Sequence, residues 1–300
     1  IRALGLKAYC EPGNDIDASN QDDGINIKNW PAVGMYQPDG IECYTANGQM
    51  YIVSANEGDA RDYDGFSEED RADDLNLDEA AYPDADDLQQ NENLGRLTIT
   101  TAEGDLDGDG DYDQITSFGA RSFSIWNATT GDLVFDSGSD LGNISALITP
   151  TFFNANDGDE GEFDNRSDDK GIEPEGIAIK EIGGSVYAFV IFERAAGGFA
   201  VYNITDPVAP YFVTYVPGAD VGDIAAKNIT QSQTRIITGS HHRSRHLRHR
   251  SCDRHHRQPN DYRINLKICR YRHRTLSQPI AATGQCRQTQ QHQQREHPDR

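Results

Sequence analysis

Residues 174–216 read PEGIAIKEIGGSVYAFVIFERAAGGFAVYNITDPVAPYFVTYV. Runs of Val, Ile, Tyr, Phe and Ala are broken there by Gly, Asn, Asp and Pro. From Gly176 to Val216 the pattern predicts four strands in about 40 residues, the size of one β-propeller blade. Gly183-Gly184-Ser185 marks the turn between the first two. An earlier copy aligns without a gap at an offset of 136 residues: Pro38, Asp39, Gly40 and Ile41 match Pro174, Glu175, Gly176 and Ile177, and Gly48, Tyr51 and Glu57 match Gly184, Tyr187 and Glu193. Such an offset corresponds to about three blades once loop insertions are allowed for. Coincidence among Gly and Pro turns is the competing explanation, and a β-sandwich the competing fold.

Outward from this stretch, further strands are expected at Met50–Ala55, Arg96–Thr101, Ser122–Asn127 and Asp132–Asp136, with those of the quoted stretch at Val186–Phe192, Gly198–Asn203 and Tyr211–Tyr215. Turn signals at Ala46-Asn47-Gly48 and Thr130-Gly131-Asp132 fit them. Only Glu68–Asp74 and the stretch near Leu88 read as helical. The expected class is therefore all-β: a partial, truncated β-propeller over residues 1–233 with long acidic loops. An open ring exposes two strand edges, so such a piece is expected to fold less well than a closed one.

Charge is distributed very unevenly. Residues 1–233 hold 12 Lys and Arg against 45 Asp and Glu, whereas residues 234–300 hold 15 against 4 and include all nine histidines. The acidic part repels nucleic acid and anionic membrane surfaces and attracts divalent cations and basic partners. No apolar run reaches the 18 residues of a membrane span. A start at Ile1 suggests that the natural beginning, with any export signal, lies upstream. Cys10 and Cys43 are expected either to pair in an exported protein or to stay as two buried thiols, and none of the five cysteines shows metal-ligand spacing. The basic stretch, SHHRSRHLRHRSCDRHHRQP from Ser240 and QCRQTQQHQQREHPDR later, lacks hydrophobic periodicity. A nucleic-acid or metal-binding tail is one reading. The favoured reading is a frameshift, because His, Arg, Gln, Pro and Leu share codons beginning with C, and 234–300 is expected to be disordered.

The sharpest local motif is DLDGDGDYD, in which Asp105, Asp107, Asp109, Asp111 and Asp113 alternate around Gly108 and Gly110. Asp at loop positions 1, 3 and 5 with Gly at 6 matches the first half of an EF-hand loop, which points to Ca²⁺. Position 12 would be Thr116, so the bidentate Glu is missing and weak affinity is expected. A solvated acidic turn is the plain alternative. Two long acidic stretches, Glu57–Asn93 and Asn154–Glu175, read as functional loops. The repeat nominates a second metal site of Asp39, Glu57, Glu175 and Glu193, facing a central channel if the strands that carry them are innermost. Glu175, Glu193, Arg61, Arg121 and Arg194 are the candidate catalytic residues for a phosphate ester held by Ca²⁺ and arginine, and structural salt bridges would use the same side chains. Residues 1–233 contain no His, which excludes a Ser-His-Asp triad there, and the chain has no GxSxG elbow.

The segments NEGDARDYDGFSEE, ENLGRLTITT, SFGARSFSIWNATTGDLVFDSG, FDNRSDDKGIEPEGIAI and FERAAGGFAVYNITDP resemble the choice-of-anchor I proteins over about Asp22 to Asp223. The resemblance implies a seven-bladed-propeller-like fold, bacterial origin, export, and attachment to the cell surface by a separate C-terminal anchor. Related proteins are described as atypical alkaline phosphatases and as mesenchyme-specific cell-surface glycoproteins. The leading expectation is a calcium-binding surface or extracellular binding module with a cell-surface ligand. A Ca²⁺-dependent, phytase-like phosphoesterase is the enzyme alternative, and a non-functional truncated gene product the third.

Overall fold

The computed structural model describes residues 1–218 of the 300, with the backbone alone at Asp157. The basic stretch 234–300, and the expectations attached to it, lie outside the described residues. The strands are β1 (Leu6–Ala8), β2 (Ala32–Met35), β3 (Ile41–Ala46), β4 (Gln49–Asn56), β5 (Asp62–Tyr63), β6 (Phe66–Ser67), β7 (Glu69–Arg71), β8 (Thr98–Thr100), β9 (Ile115–Ser117), β10 (Ser122–Asn127), β11 (Leu133–Asp136), β12 (Pro174–Ile182), β13 (Ser185–Phe192), β14 (Phe199–Asn203) and β15 (Tyr211–Val216). Up to Val216, the helical elements are α1 (Ala85–Leu88), α2 (Asp140–Ile148) and single 3-10 turns. The described chain is therefore all-β, as the turn-punctuated strands predict.

The stretch quoted at the outset forms a sheet of its own, the third of the larger sheets in chain order, β12-β13-β14-β15, antiparallel throughout. A second sheet has the order β3-β4-β10-β11, also antiparallel. β4 and β13 are displaced by the 136-residue offset at both ends, so the sequence repeat is a repeat of structure. The offset is not three blades, however. Residues 57–121 are inserted between β4 and β10, a helix and loops at 137–173 separate β11 from β12, and no further four-stranded sheet intervenes among the described residues.

The two sheets share one core. Val53, Phe123 and Ile125 of one pack with Val190, Phe192, Ala200 and Tyr202 of the other, and the Phe123 and Tyr202 rings lie 4.6 Å apart. Where the repeats begin, the Gly40 N–H donates to the Glu175 carbonyl at 2.8 Å. A Cβ on Gly40 would lie 2.6 Å from that oxygen, so only glycine permits the approach. Side chains alternate along a strand, so Phe189, Ile191, Phe199 and Val201 lie on the face of the third sheet opposite Val190 and Ala200. That sheet is apolar on both faces.

A five-stranded sheet, β1-β2-β9-β8-β7, is built from the N-terminal strands and from the insertion, with β2 and β9 parallel. Its core holds Tyr9, Trp30, Leu94, Leu97, Ile99 and Ile115. The expected helix at Glu68–Asp74 is instead β7 followed by a 3-10 turn at Ala72–Asp74, because Glu69–Arg71 pairs with β8. The stretch near Leu88 is helical as expected, and α2 was not anticipated.

A buried polar network fastens β1 to the second sheet. Lys7, 3% exposed, places its Nζ 2.9 Å from Asp136 Oδ1 and donates to the carbonyls of Ala120 and Gly138 at 3.1 and 2.8 Å. Asp136 Oδ2 accepts from the hydroxyls of Ser122 and Ser124 at 2.7 and 2.6 Å. The Cys10–Cys43 pair does not form: Cys43 on β3 carries a free, exposed thiol, whereas Cys10 is disulfide-bonded. Cys43 is not a buried thiol because its side chain points away from the shared core, unlike that of its neighbour Tyr44.

Candidate functional site

Glu57 and Glu193 leave β4 and β13 at equivalent points of the repeat, and the fold brings them together. Each offers an oxygen within 4.8 Å of the other and of a third carboxylate, Glu173. Glu173 lies directly before β12, fully buried, with its backbone at φ 50° and its carbonyl accepting the Glu193 N–H at 3.0 Å. The other two residues of the expected second metal set stand outside this group. Asp39 is exposed in the turn before β3, and Glu175 is half-buried in β12.

Three cations neutralise the triad. Arg166 approaches Glu173 Oε1 with Nε at 2.9 Å and Nη2 at 2.7 Å, and Arg194 Nε lies 3.1 Å from Glu173 Oε2. Lys170 Nζ stands 3.0 Å from Glu57 Oε1 and 3.7 Å from Glu173 Oε2. Burial pushes the Glu57 carboxyl up, and the Lys170 hydrogen bond pulls it partly back. Burial opposes the charge of Lys170, but the carboxylates of Glu173 and Glu57 outweigh it and hold its pKa above the ordinary value. A divalent ion entering here meets carboxylates that already hold ammonium and guanidinium groups. The arrangement suits a buried ion-pair cluster joining the exits of two sheets.

The remaining candidate arginines are engaged elsewhere. Arg121, 6% exposed, donates through Nη1 to the Asp17 carbonyl at 2.6 Å and through Nη2 to those of Ser167 and Asp169 at 3.0 and 2.5 Å. It clamps the 154–173 loop by its backbone. Arg61 pairs with Glu68 at 2.6 Å. Arg166, Lys170 and Glu173 were not nominated from sequence, although RSDDKGIE places both cations within a few residues of the Glu they serve.

The Asp105–Asp113 loop lies in the insertion between β8 and β9. Asp105, Asp107 and Asp109 are exposed, and each offers an oxygen within 4.8 Å of the other two. Asp105 accepts the N–H groups of Gly108 and Gly110 at 2.7 and 3.2 Å, and Asp113 accepts that of Leu106 at 2.8 Å, which curls the loop. The negative charge of Asp109 is the main cause raising the Asp107 carboxyl. Asp111 is pushed up to about 6 by desolvation and by Asp109. No side-chain cation pairs with these carboxylates among the described residues, and the donor set consists wholly of hard oxygens.

Asp164 is a buried acid that the sequence did not single out. Burial, together with the charges of Asp17, Asp22 and Asp168, pushes it up to about 8 against a short hydrogen bond from the Ser167 hydroxyl. Its folded pKa exceeds the unfolded value of about 3.9, so its stabilising contribution is complete below that value and is lost as pH rises through about 8. Asp164→Asn is expected to abolish this decline and to melt above the parent protein by a few degrees at alkaline pH. Melting curves of both proteins across that range check this, and equal melting at alkaline pH would contradict it.

Residues 1–207 match the family model described as the choice-of-anchor I domain. Among curated proteins, Gigasin-3a of Magallana gigas is 35% identical over 120 residues, covering 39% of this chain and 42% of that protein. The matched segment thus spans about two fifths of the relative's length, and the relative comes from an oyster rather than a bacterium. No solved structure matches. The family model covers well over half of the sequence, including the second sheet, the ion-pair cluster and most of the third sheet, and the chain belongs to the choice-of-anchor I family.

Proposed function

We propose that the chain is part of an extracellular or cell-surface binding module: a partial β-propeller whose Asp105–Asp113 loop takes Ca²⁺. The observation that carries the calcium reading is the convergence of Asp105, Asp107 and Asp109 without a cationic partner. Like charges so crowded repel, and a hard divalent ion relieves the repulsion. The propeller reading is supported by two antiparallel four-stranded sheets of equal strand order, whose first two strands repeat at the 136-residue offset, and by the apolar second face of β12–β15, which suits a blade set between two neighbours. Family membership supports a surface location.

The phosphoesterase reading fits the side chains less well. It needs carboxylates available to metal and arginines available to phosphate. Glu57 and Glu173 instead hold Lys170, Arg166 and Arg194, while Arg121 and Arg61 are taken by backbone carbonyls and by Glu68. The test is thermal melting with and without calcium, alongside turnover of an aryl phosphate. A weak site with Kd of about 0.1–1 mM is filled to about 10–100 times Kd by about 10 mM Ca²⁺, which stabilises by about 1.4–2.7 kcal/mol, so Ca²⁺ at about 10 mM is expected to raise Tm by several degrees. Asp107→Asn with Asp109→Asn is expected to remove most of that rise without turnover in either protein. An unchanged Tm overturns the calcium reading, and calcium-dependent turnover overturns the binding reading.

A further inference from the structure

The insertion between β4 and β10 presents the β5–β6 hairpin, in which every residue from Arg61 to Ser67 is exposed. Gly65, at φ 86°, makes its turn, and the two strands pair only with each other. A lone hairpin gains little from its backbone bonds, yet this one holds two large rings outside the core. Tyr63 is 64% and Phe66 39% exposed, and the rings stack at 5.3 Å with 29° between their planes. The Arg61 guanidinium, held by Glu68, stands 5.5 Å from the centre of the Phe66 ring. One ring of the pair thus already carries a cation, while no cation lies over Tyr63 among the described residues.

The surroundings are acidic. Asp59, Asp62, Asp64, Glu69 and Asp70 are all exposed, and none pairs with a cationic side chain among the described residues. Burial and then the charge of Asp169 raise the Glu69 carboxyl, and the charge of Asp70 raises that of Asp74. An exposed aromatic pair in a segment dense in carboxylates complements a basic peptide, and guanidinium stacks on an aromatic face better than ammonium does.

We propose that the Arg61–Ser67 hairpin is the docking element for an arginine-bearing basic segment of a partner protein, with one guanidinium on the Tyr63 ring and further basic groups of the same segment at the exposed carboxylates of Asp62, Asp64 and their acidic neighbours. The inference deepens the binding-module reading and rests on it. A single exposed contact of this kind is weak, so the partner engages several carboxylates at once, and the field of the acidic domain speeds the encounter.

The test uses the full chain with fluorescent nona-arginine and nona-lysine as probes at physiological salt, read by anisotropy. Nona-arginine is expected to bind more tightly than nona-lysine, and Tyr63→Ala to weaken it about fivefold and erase the difference. Asp62→Asn with Asp64→Asn is expected to weaken binding, whereas Asp86→Asn with Asp87→Asn, an equal loss of charge in α1, leaves it unchanged. Equal weakening by the two pairs would reduce the binding to diffuse charge and overturn the proposal. So would parent-like binding by Tyr63→Ala, or Tyr63-dependent binding of an uncharged oligosaccharide. Calcium melts on the same samples separate the two readings: lost peptide binding with the calcium shift intact rejects the hairpin alone.

Discussion

Replacing Asp136 by Ala is expected to destabilise the domain by about 4 kcal/mol, because it strands the Lys7 ammonium where no water reaches it. The Lys7 side chain is 2% exposed, and with Asp136 gone its remaining partners are two carbonyls. Burial already lowers the Lys7 pKa, and Asp136 is the main group opposing that shift. Without the carboxylate, the lysine sheds its proton in the folded state more readily than in the unfolded one. An amine depressed in this way contributes stability that grows with pH, so the deficit is largest near about pH 6 and shrinks toward about pH 10. Lys7→Met is expected to cost less, since the Ser122 and Ser124 hydroxyls still donate to Asp136. Urea unfolding of both variants at two pH values measures this, and a pH-independent loss for Asp136→Ala would refute it.

The second large effect is expected at Glu173. Glu173→Gln keeps the volume but removes the buried charge that Arg166, Lys170 and Arg194 face. Breaking a buried pair from one side costs about 3–5 kcal/mol, and the lower end applies here. The three cations retain 14–21% exposure and recover some hydration. Glu57→Gln is expected to cost about 1 kcal/mol, because Lys170 keeps Glu173 as a partner. Chemical denaturation of both variants, with Lys170→Met added to close a double-mutant cycle, checks the order. A Glu173→Gln variant as stable as the parent would mean that the cluster contributes nothing to holding the two sheets together.

How much of this was legible follows from the kind of signal each element leaves. Ser122–Asn127 was read to the residue, because a strand buried along nearly its whole length consists almost entirely of apolar and small residues. The repeat was legible because β4 and β13 meet their neighbours in the same way and so need the same residues. In the five-stranded sheet only β8 was legible, within Arg96–Thr101, and the other short strands left no such mark. Three or four residues carry too little periodicity, and Glu69–Arg71 became strand only because β8 lies beside it. α2 was missed because Gly142 and the β-branched Ile144 and Ile148 depress helix propensity, which tertiary contact through Leu141 overrides. At the candidate site, Glu57 and Glu193 were found through the repeat. Glu173 belongs to a loop that occurs once, so neither spacing nor periodicity singled it out, and only the fold shows that it replaces Asp39 and Glu175 in the group.

The insertion of residues 57–121 also sets an order of assembly. In the third sheet each strand pairs with the next one along the chain across a short connection, so closing those loops costs little entropy. In the second sheet, β4 finds β10 only across the whole insertion, with Asn56 opposite Ser122. Pairing at that separation is slow unless the intervening chain is already compact. The third sheet can therefore form first and offer Val190, Phe192 and Tyr202 as a template, while β10 waits for the five-stranded sheet to draw its ends together. Lengthening or loosening the insertion should slow folding while leaving the rate of unfolding nearly untouched, which makes this one segment the kinetic gate of the domain.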